Sequence, residues 1–344
     1  GNVSNEADLQ DRITVLWVAV EWEWFYQNGV LLWHWSPNYD FAINLPVRGY
    51  NEALIIYLLA IASPTHAIPA QAYHTGWAGG NYTNGTTFFG ITLDIGPLRG
   101  GPLFFAHYSF LGFDPRGKKD AYTNYFIHNK KHTLSNRAYC LLNTGNYEGY
   151  SEECWGLTAS DGNEGYSAHS PLSSMPYTPT EALVALKHFY RELGERLWGT
   201  YGFYDAFNLT ENWFATSYLA IDQGPIIGMI ENHRTGLLWE YFMQNEEVQP
   251  ALDAIGFVPD STDITSIDRL EMEQVELTAY PNPVQDLLDV TSQQDLRYYR
   301  LYNTDGQLIQ EQDFPPSTFK IPVTTLPNGL NLLQARAQDG RLVS

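Results

Sequence analysis

Gly49-Tyr50-Asn51-Glu52-Ala53-Leu54-Ile55-Ile56-Tyr57-Leu58-Leu59-Ala60 is an almost unbroken apolar run led by a single carboxylate. With Pro64 as its stop, the stretch predicts a helix over Gly49–Ser63 that is apolar nearly all round, and such a helix has to be buried on most sides. It reads as the core element of a helical domain. Glu52 is then conspicuous, because a carboxylate at the head of a core helix carries a desolvation cost that something must offset.

Helical signals continue in both directions. Leu9, Ile13, Leu16, Val20 and Trp24 recur at spacings of three and four, the apolar stripe of an amphipathic helix reaching about Gln27. Asp120–Leu142 has a weaker helical pattern. Thr178-Pro179-Thr180-Glu181 joins a capping box to proline at the first helical position, and Leu183, Leu186, Tyr190, Leu193 and Leu197 mark the expected inner face. Another helix is expected to begin near Pro225, and Leu237–Ile255 holds one or two more. Between them, Trp77–Gly101 and Asn143–Ser174 are rich in Gly, Tyr, Trp and Asn and read as long loops that build a cleft. The composition changes after Phe257. Residues 258–273 read as a polar, acidic linker, and residues 274–344 carry short strand-like runs with turn signals at Thr304-Asp305-Gly306 and Gln338-Asp339-Gly340. That spacing predicts a small all-β immunoglobulin-like sandwich.

The 344 residues include 39 acidic and 19 basic side chains, a net charge of −20, which argues against nucleic acid or an anionic membrane as partner. An uncharged substrate fits better. With 10 Trp and 23 Tyr the chain has more flat rings with polar tips than a core needs; sugar stacking and plain packing are the competing readings. No apolar run is long enough to span a membrane, and Gly1 begins without the charged and apolar regions of a signal peptide. Cys140 and Cys154 would close a short loop as a disulfide, stabilising by roughly 3 kcal/mol, or stand as two buried thiols; both readings remain open.

Chemistry can sit at few places. Glu21, Glu23, Glu52, Asp205, Asp222 and Glu231 are carboxylates in apolar or aromatic surroundings, and two of them across a cleft would suffice for glycoside hydrolysis. Asp222 lies just before the helix expected at Pro225, where free N–H groups and the dipole favour its ionised form, as suits a general base. His128 and His132 stand four apart, as zinc ligands can, but Lys130 and Lys131 between them and the lack of a third ligand favour a solvated face. No metal or cofactor is expected. Trp33-His34-Trp35 reads equally as sugar platform or core.

Tyr280-Pro281-Asn282-Pro283-Val284, Leu288-Asp289-Val290, Tyr302-Asn303-Thr304-Asp305-Gly306 and Leu326-Pro327-Asn328-Gly329 together resemble the C-terminal sorting domain of the Bacteroidetes type IX secretion system. That resemblance implies contact with the secretion machinery and export through the periplasm to the outer-membrane surface or the medium. Upstream, Trp33-His34-Trp35-Ser36-Pro37, Gly49-Tyr50-Asn51-Glu52-Ala53, Gly100-Gly101-Pro102-Leu103-Phe104-Phe105-Ala106-His107-Tyr108-Ser109, Trp155-Gly156-Leu157-Thr158, Ser174-Met175-Pro176-Tyr177 and Ile221-Asp222-Gln223-Gly224-Pro225 resemble the glucoamylase-like family that includes the endo-β-1,2-glucanases of glycoside hydrolase family 144. This resemblance implies an all-α (α/α)6-barrel over residues 1–257 and hydrolysis of β-glucan with anomeric inversion. It assigns Glu52 as acid and Asp222 as base, with Trp33, Trp77, Trp155, Tyr177, Asp205, Trp213 and Glu231 at the sugar subsites. The family's helices upstream of Asn5 have no counterpart here, so the barrel is expected to be N-terminally incomplete, and the loop Ser167–Leu172 is shorter than the family's. A non-catalytic glycan-binding protein and an exo-acting enzyme of the same fold are the alternatives.

Overall fold

Nine α-helices arise among the described residues: α1 (Ala7–Val18), α2 (Trp22–Phe25), α3 (Leu54–Ala62), α4 (Tyr125–Leu142), α5 (Pro179–Arg191), α6 (Gly194–Leu197), α7 (Ala220–Thr235), α8 (Leu237–Met243) and α9 (Val248–Ala254). The structure is a computed structural model; it describes residues 7–262 except 81, 144, 160–166, 169 and 170, and residues 277–343 except 294, 303–307, 325, 327–331 and 338–341. Two compact units divide the chain, Gly1–Ser261 and Thr262–Ser344.

Several helices depart from their sequence signals for local reasons. The first stripe is interrupted after Val18, whose carbonyl accepts the Thr65 hydroxyl at 2.7 Å. Its apolar face is turned outward, with Ile13 at 56% and Leu16 at 70% exposure. Helix α4 starts at Tyr125 rather than Asp120, capped by the Asn124 side chain accepting from the Ile127 N–H. Asp120 is engaged elsewhere: its carboxylate accepts from the backbone N–H groups of Tyr122 and Thr123 and from the hydroxyls of Tyr73 and Tyr125. Helix α5 begins at Pro179 as its motif predicts, yet Thr178 supplies no side-chain cap. Its buried side is Ala182, Ala185 and Phe189, while Leu183 and Tyr190 are exposed. Leu186, Leu193 and Leu197 of the expected face do pack on the core, so the buried side departs only in part from the one the leucines mark.

The first unit is not purely helical. Six two-residue antiparallel ladders pin the long connections, among them Leu157–Thr158 with Ser167–Ala168, Phe207–Asn208 with Trp213–Phe214, and Lys118–Lys119 with Val258–Pro259. The last carries the helical unit past the expected boundary at residue 257. One core cluster gathers Leu103, Cys140, Cys154, Trp155, Leu172, Ala185, Phe189, Leu197, Phe203 and Phe207. Cys140 and Cys154 are free thiols there, and burial pushes them up to about 11 and about 12. His128 and His132 are buried, which corrects the expected solvated face. Their rings meet the Tyr50 ring edge-on, with centroids 4.7 and 5.9 Å away, and burial holds His132 down at about 4. These histidines are neutral packing groups.

Among its described residues the second unit has seven strands: β1 (Leu277–Tyr280), β2 (Leu287–Ser292), β3 (Leu296–Tyr302), β4 (Leu308–Asp313), β5 (Thr318–Pro322), β6 (Leu332–Ala337) and β7 (Leu342–Val343). They form a three-stranded sheet of order β1-β2-β5 and a four-stranded sheet of order β4-β3-β6-β7, all pairs antiparallel. Val290, Leu296, Tyr299, Phe319, Ile321 and Ala335 from both sheets share one core, in which the Tyr299 and Phe319 rings stack at 4.8 Å. The turns read at residues 304–306 and 338–340 lie outside the described residues.

Candidate active site

Glu52 sits in a turn, not on the helix it was expected to lead. Gly49 takes φ of +82°, a left-handed conformation suited to glycine, and donates its N–H to the Trp77 carbonyl at 2.8 Å. Tyr50 then plunges inward, its hydroxyl donating to Asn129 Oδ1 at 2.7 Å. The Asn51 side chain closes the turn, accepting from the Ala53 N–H at 2.8 Å and donating to the Arg48 carbonyl at 3.0 Å. Helix α3 begins only at Leu54, after an Ala53 N-cap that has no side chain able to cap it. The missing cap comes from far along the chain. Ser109 Oγ accepts from the Ile55 N–H at 3.0 Å and donates to the Glu52 carbonyl oxygen, clamping the residue from both directions. Glu52 is half-buried, and its carboxylate makes no hydrogen bond or ion pair among the described residues.

Asp222 also differs from expectation. Helix α7 starts at Ala220, so Asp222 stands inside its first turn and Pro225 falls within the helix. Asp222, Pro225, Met229 and Asn232 recur at spacings of three and four as the helix's buried stripe. The Thr158 hydroxyl donates to Asp222 Oδ1 at 3.1 Å. Position at a helix start predicts an ionised carboxylate, but burial and the neighbouring Asp205 carboxyl outweigh the dipole and push Asp222 up to about 7. Asp205 is fully buried, on a turn pinned by its N–H donating to the Ser217 carbonyl at 3.0 Å and by Ala215 donating to Ala206 at 2.8 Å.

One segment touches the elements that carry both carboxylates. Residues 103–111 form two short 3-10 turns, Leu103–Ala106 and Ser109–Leu111. Ser109 holds the Glu52 turn, while the Leu111 carbonyl accepts from Asn232 Nδ2 on α7 at 2.9 Å. A Cβ at Gly228 would come within 2.6 Å of the Leu111 methyl, so glycine is what lets α7 lie against this segment. Just before the first contact, His107 Nε2 hydrogen-bonds Ser174 Oγ at 2.7 Å, and burial with His132 nearby holds the His107 ring neutral, down at about 3.

The remaining candidates separate clearly. Trp77, Trp155 and Tyr177 lie in the interior, where a ring offers no face to a ligand: Trp77 Nε1 donates to the Tyr82 hydroxyl at 3.1 Å, and the Tyr177 hydroxyl donates to the Ala106 carbonyl at 2.8 Å. Trp33 is 60% exposed and Trp213 half-buried, so both present ring area. Glu231 accepts from Arg234 and Thr235 on its own helix. Nine residues beyond Asp222, about 13 Å along the axis and on the opposite face, it cannot join that carboxylate. Ser109 and Thr158 were not singled out in the sequence: hydroxyls this common reveal a role only through the partners that the fold brings to them.

Residues 44–246 match the family model described as "Putative glucoamylase", and residues 278–344 match the secretion system C-terminal sorting domain. Over 291 residues the chain is 43% identical to a Parabacteroides distasonis protein named exo beta-1,2-glucooligosaccharide sophorohydrolase (non-reducing end), a match covering 74% of this chain and 40% of that protein. The chain thus spans less than half the length of this curated relative. A crystal structure of a Bacteroides uniformis protein with the same glucoamylase description is 52% identical, with a TM-score of 0.71, over 75% of this chain and 67% of that one. The structure of an endo-beta-1,2-glucanase from Chitinophaga pinensis with sophorotriose and glucose is 48% identical, with a TM-score of 0.71, over 75% of this chain and 66% of that one. With more than half of its residues inside the matched model, the chain belongs to this glucoamylase-like family, and it carries a secretion-system sorting domain behind the family region.

Proposed function

We propose that the chain acts as a secreted or cell-surface endo-β-1,2-glucanase working by anomeric inversion, with Glu52 as the acid and Asp222 as the base. The observation that carries this reading is a shared neighbour: the 103–111 segment hydrogen-bonds to the turn that holds Glu52 and, at Asn232, to the helix whose first turn holds Asp222. The β-1,2-glucan specificity rests on relatives named for that substrate at 43% and 48% identity. The helical unit is read as part of an (α/α)6-barrel, and the second unit as an immunoglobulin-like sandwich that directs type IX export.

Inversion needs one carboxyl to protonate the leaving oxygen and another to take a proton from water. Asp222, buried and held up at about 7, is a stronger base than an ordinary carboxylate once it ionises. Glu52, half-buried in a clamped turn, can reach a glycan directly or through a substrate hydroxyl. Trp33 and Trp213 offer stacking faces, whereas Trp77, Trp155 and Tyr177 are buried in the core.

The test is hydrolysis of β-1,2-glucan by the native full-length protein and by its Glu52→Gln and Asp222→Asn variants, read as new reducing ends. Each variant should lose about 100-fold or more in rate. Hydrolysis at the unmutated rate by Glu52→Gln would remove the acid assignment. The printed name of the Parabacteroides distasonis relative makes exo action the second reading, and product size separates the two: a ladder of oligosaccharides for endo cleavage, one disaccharide for exo.

A further inference from the structure

Asp222 has one oxygen accounted for and one that is not. Oδ1 accepts from Thr158, but Oδ2 is buried and meets no N–H or O–H donor among the described residues. What lies within hydrogen-bonding reach is the Asp205 carboxyl, itself fully buried. Two carboxylates cannot hydrogen-bond unless one of them carries a proton, and two buried negative charges in contact would repel strongly. Among the described residues, the elements packed against α7 supply no competing charge. His107 is neutral, the turn Leu172–Ser174 has no ionisable side chain, and Glu240 on α8 is exposed; on α7 itself, Glu231, His233 and Arg234 lie at the far end.

We propose that Asp205 is a positioning residue that shares one proton with Asp222, so that Asp222 becomes a stronger proton acceptor than a lone buried aspartate held by Thr158 would be. This rests on the reading of Asp222 as the base. In the resting pair the proton sits between the carboxyls; the pull of Asp222 toward about 7 has burial as its largest cause and Asp205 as the next. The pair is active when that proton has left: Asp222 then takes a proton from the attacking water while its oxygen bonds to the anomeric carbon and the leaving oxygen receives a proton from the acid. The incoming proton restores the shared state, so charge and protons balance. Asp205 touches neither sugar nor water in this scheme; the turn that holds it is fixed by backbone hydrogen bonds to residues 215–217.

The experiment is a carbon-13 NMR titration of the full chain labelled at aspartate carboxyls, from pH 4 to 9, with the same titration of Asp205→Asn. In the unmutated chain Asp222 should inflect near pH 7 and the Asp205 resonance should respond at the same pH, since one proton serves both. In Asp205→Asn the Asp222 inflection should fall by roughly one to two pH units. An Asp222 midpoint that Asp205→Asn leaves in place would overturn the proposal. So would an Asp205 resonance that is silent at the Asp222 inflection, a result that needs no variant to fold. Activity gives a separate readout: the rising limb of the pH–rate profile should move acidward in Asp205→Asn. If Asp222→Asn still hydrolyses glucan at full rate while the resonances titrate together, the functional reading fails and the shared proton stands.

Discussion

A buried carboxyl that stays protonated to about pH 7 leaves a mark on stability as well as on chemistry. In an unfolded chain Asp222 ionises near 4, so between about pH 4 and 7 the folded state binds a proton that the unfolded state has released. Folding is therefore favoured by this group at low pH, and the benefit is lost as pH rises through 7. Asp222→Asn, neutral at every pH, escapes that loss. It should unfold at a higher temperature than the unmutated protein at pH 8, by roughly 2–4 kcal/mol in stability, with the advantage vanishing near pH 4. Equal melting temperatures at pH 8 would show that Asp222 is not desolvated in the fold. The position of Asp222 near a helix start was legible from Pro225, but its protonation was not. That depends first on burial and then on Asp205, a neighbour in space only.

At the level of elements, the sequence located helices better than it located their caps and faces. The apolar run after Glu52 does become α3, but it begins at Leu54, five residues later than the expected start at Gly49, because Asn51 draws the chain into a turn first. The cap then arrives from Ser109, which no local rule could supply. Ser109→Ala should cost about 1–2 kcal/mol and speed amide hydrogen exchange at Ile55. Unchanged protection of that amide would mean that the hydroxyl does not cap the helix. Helix α5 shows the complementary limit. Its start at Pro179 was readable from a strong local motif, whereas its inner face takes in Ala182, Ala185 and Phe189, which the leucine spacing did not mark.

For the whole molecule, the change in composition after Phe257 marked two units, and each has a core built from its own residues. Val258–Pro259 nevertheless belongs with the helical unit: it pairs with Lys118–Lys119, and the Asp260 N–H donates to the Gly117 carbonyl at 2.9 Å. A chain ending at Ser261 should therefore keep the near-ultraviolet circular dichroism of the helical unit, while one ending at Phe257 should melt several degrees lower, as expected for a loss of about 1–3 kcal/mol. Identical melting of the two truncations would make the short ladder dispensable. The pair of thiols in the core of this unit has a consequence of its own. Cys140 and Cys154 are held up at about 11 and about 12, so almost no thiolate exists at neutral pH, and alkylating reagents find neither nucleophile nor access while the core is closed. Their labelling is thus a clock for opening of the core, and every alkylated molecule records one excursion out of the native state.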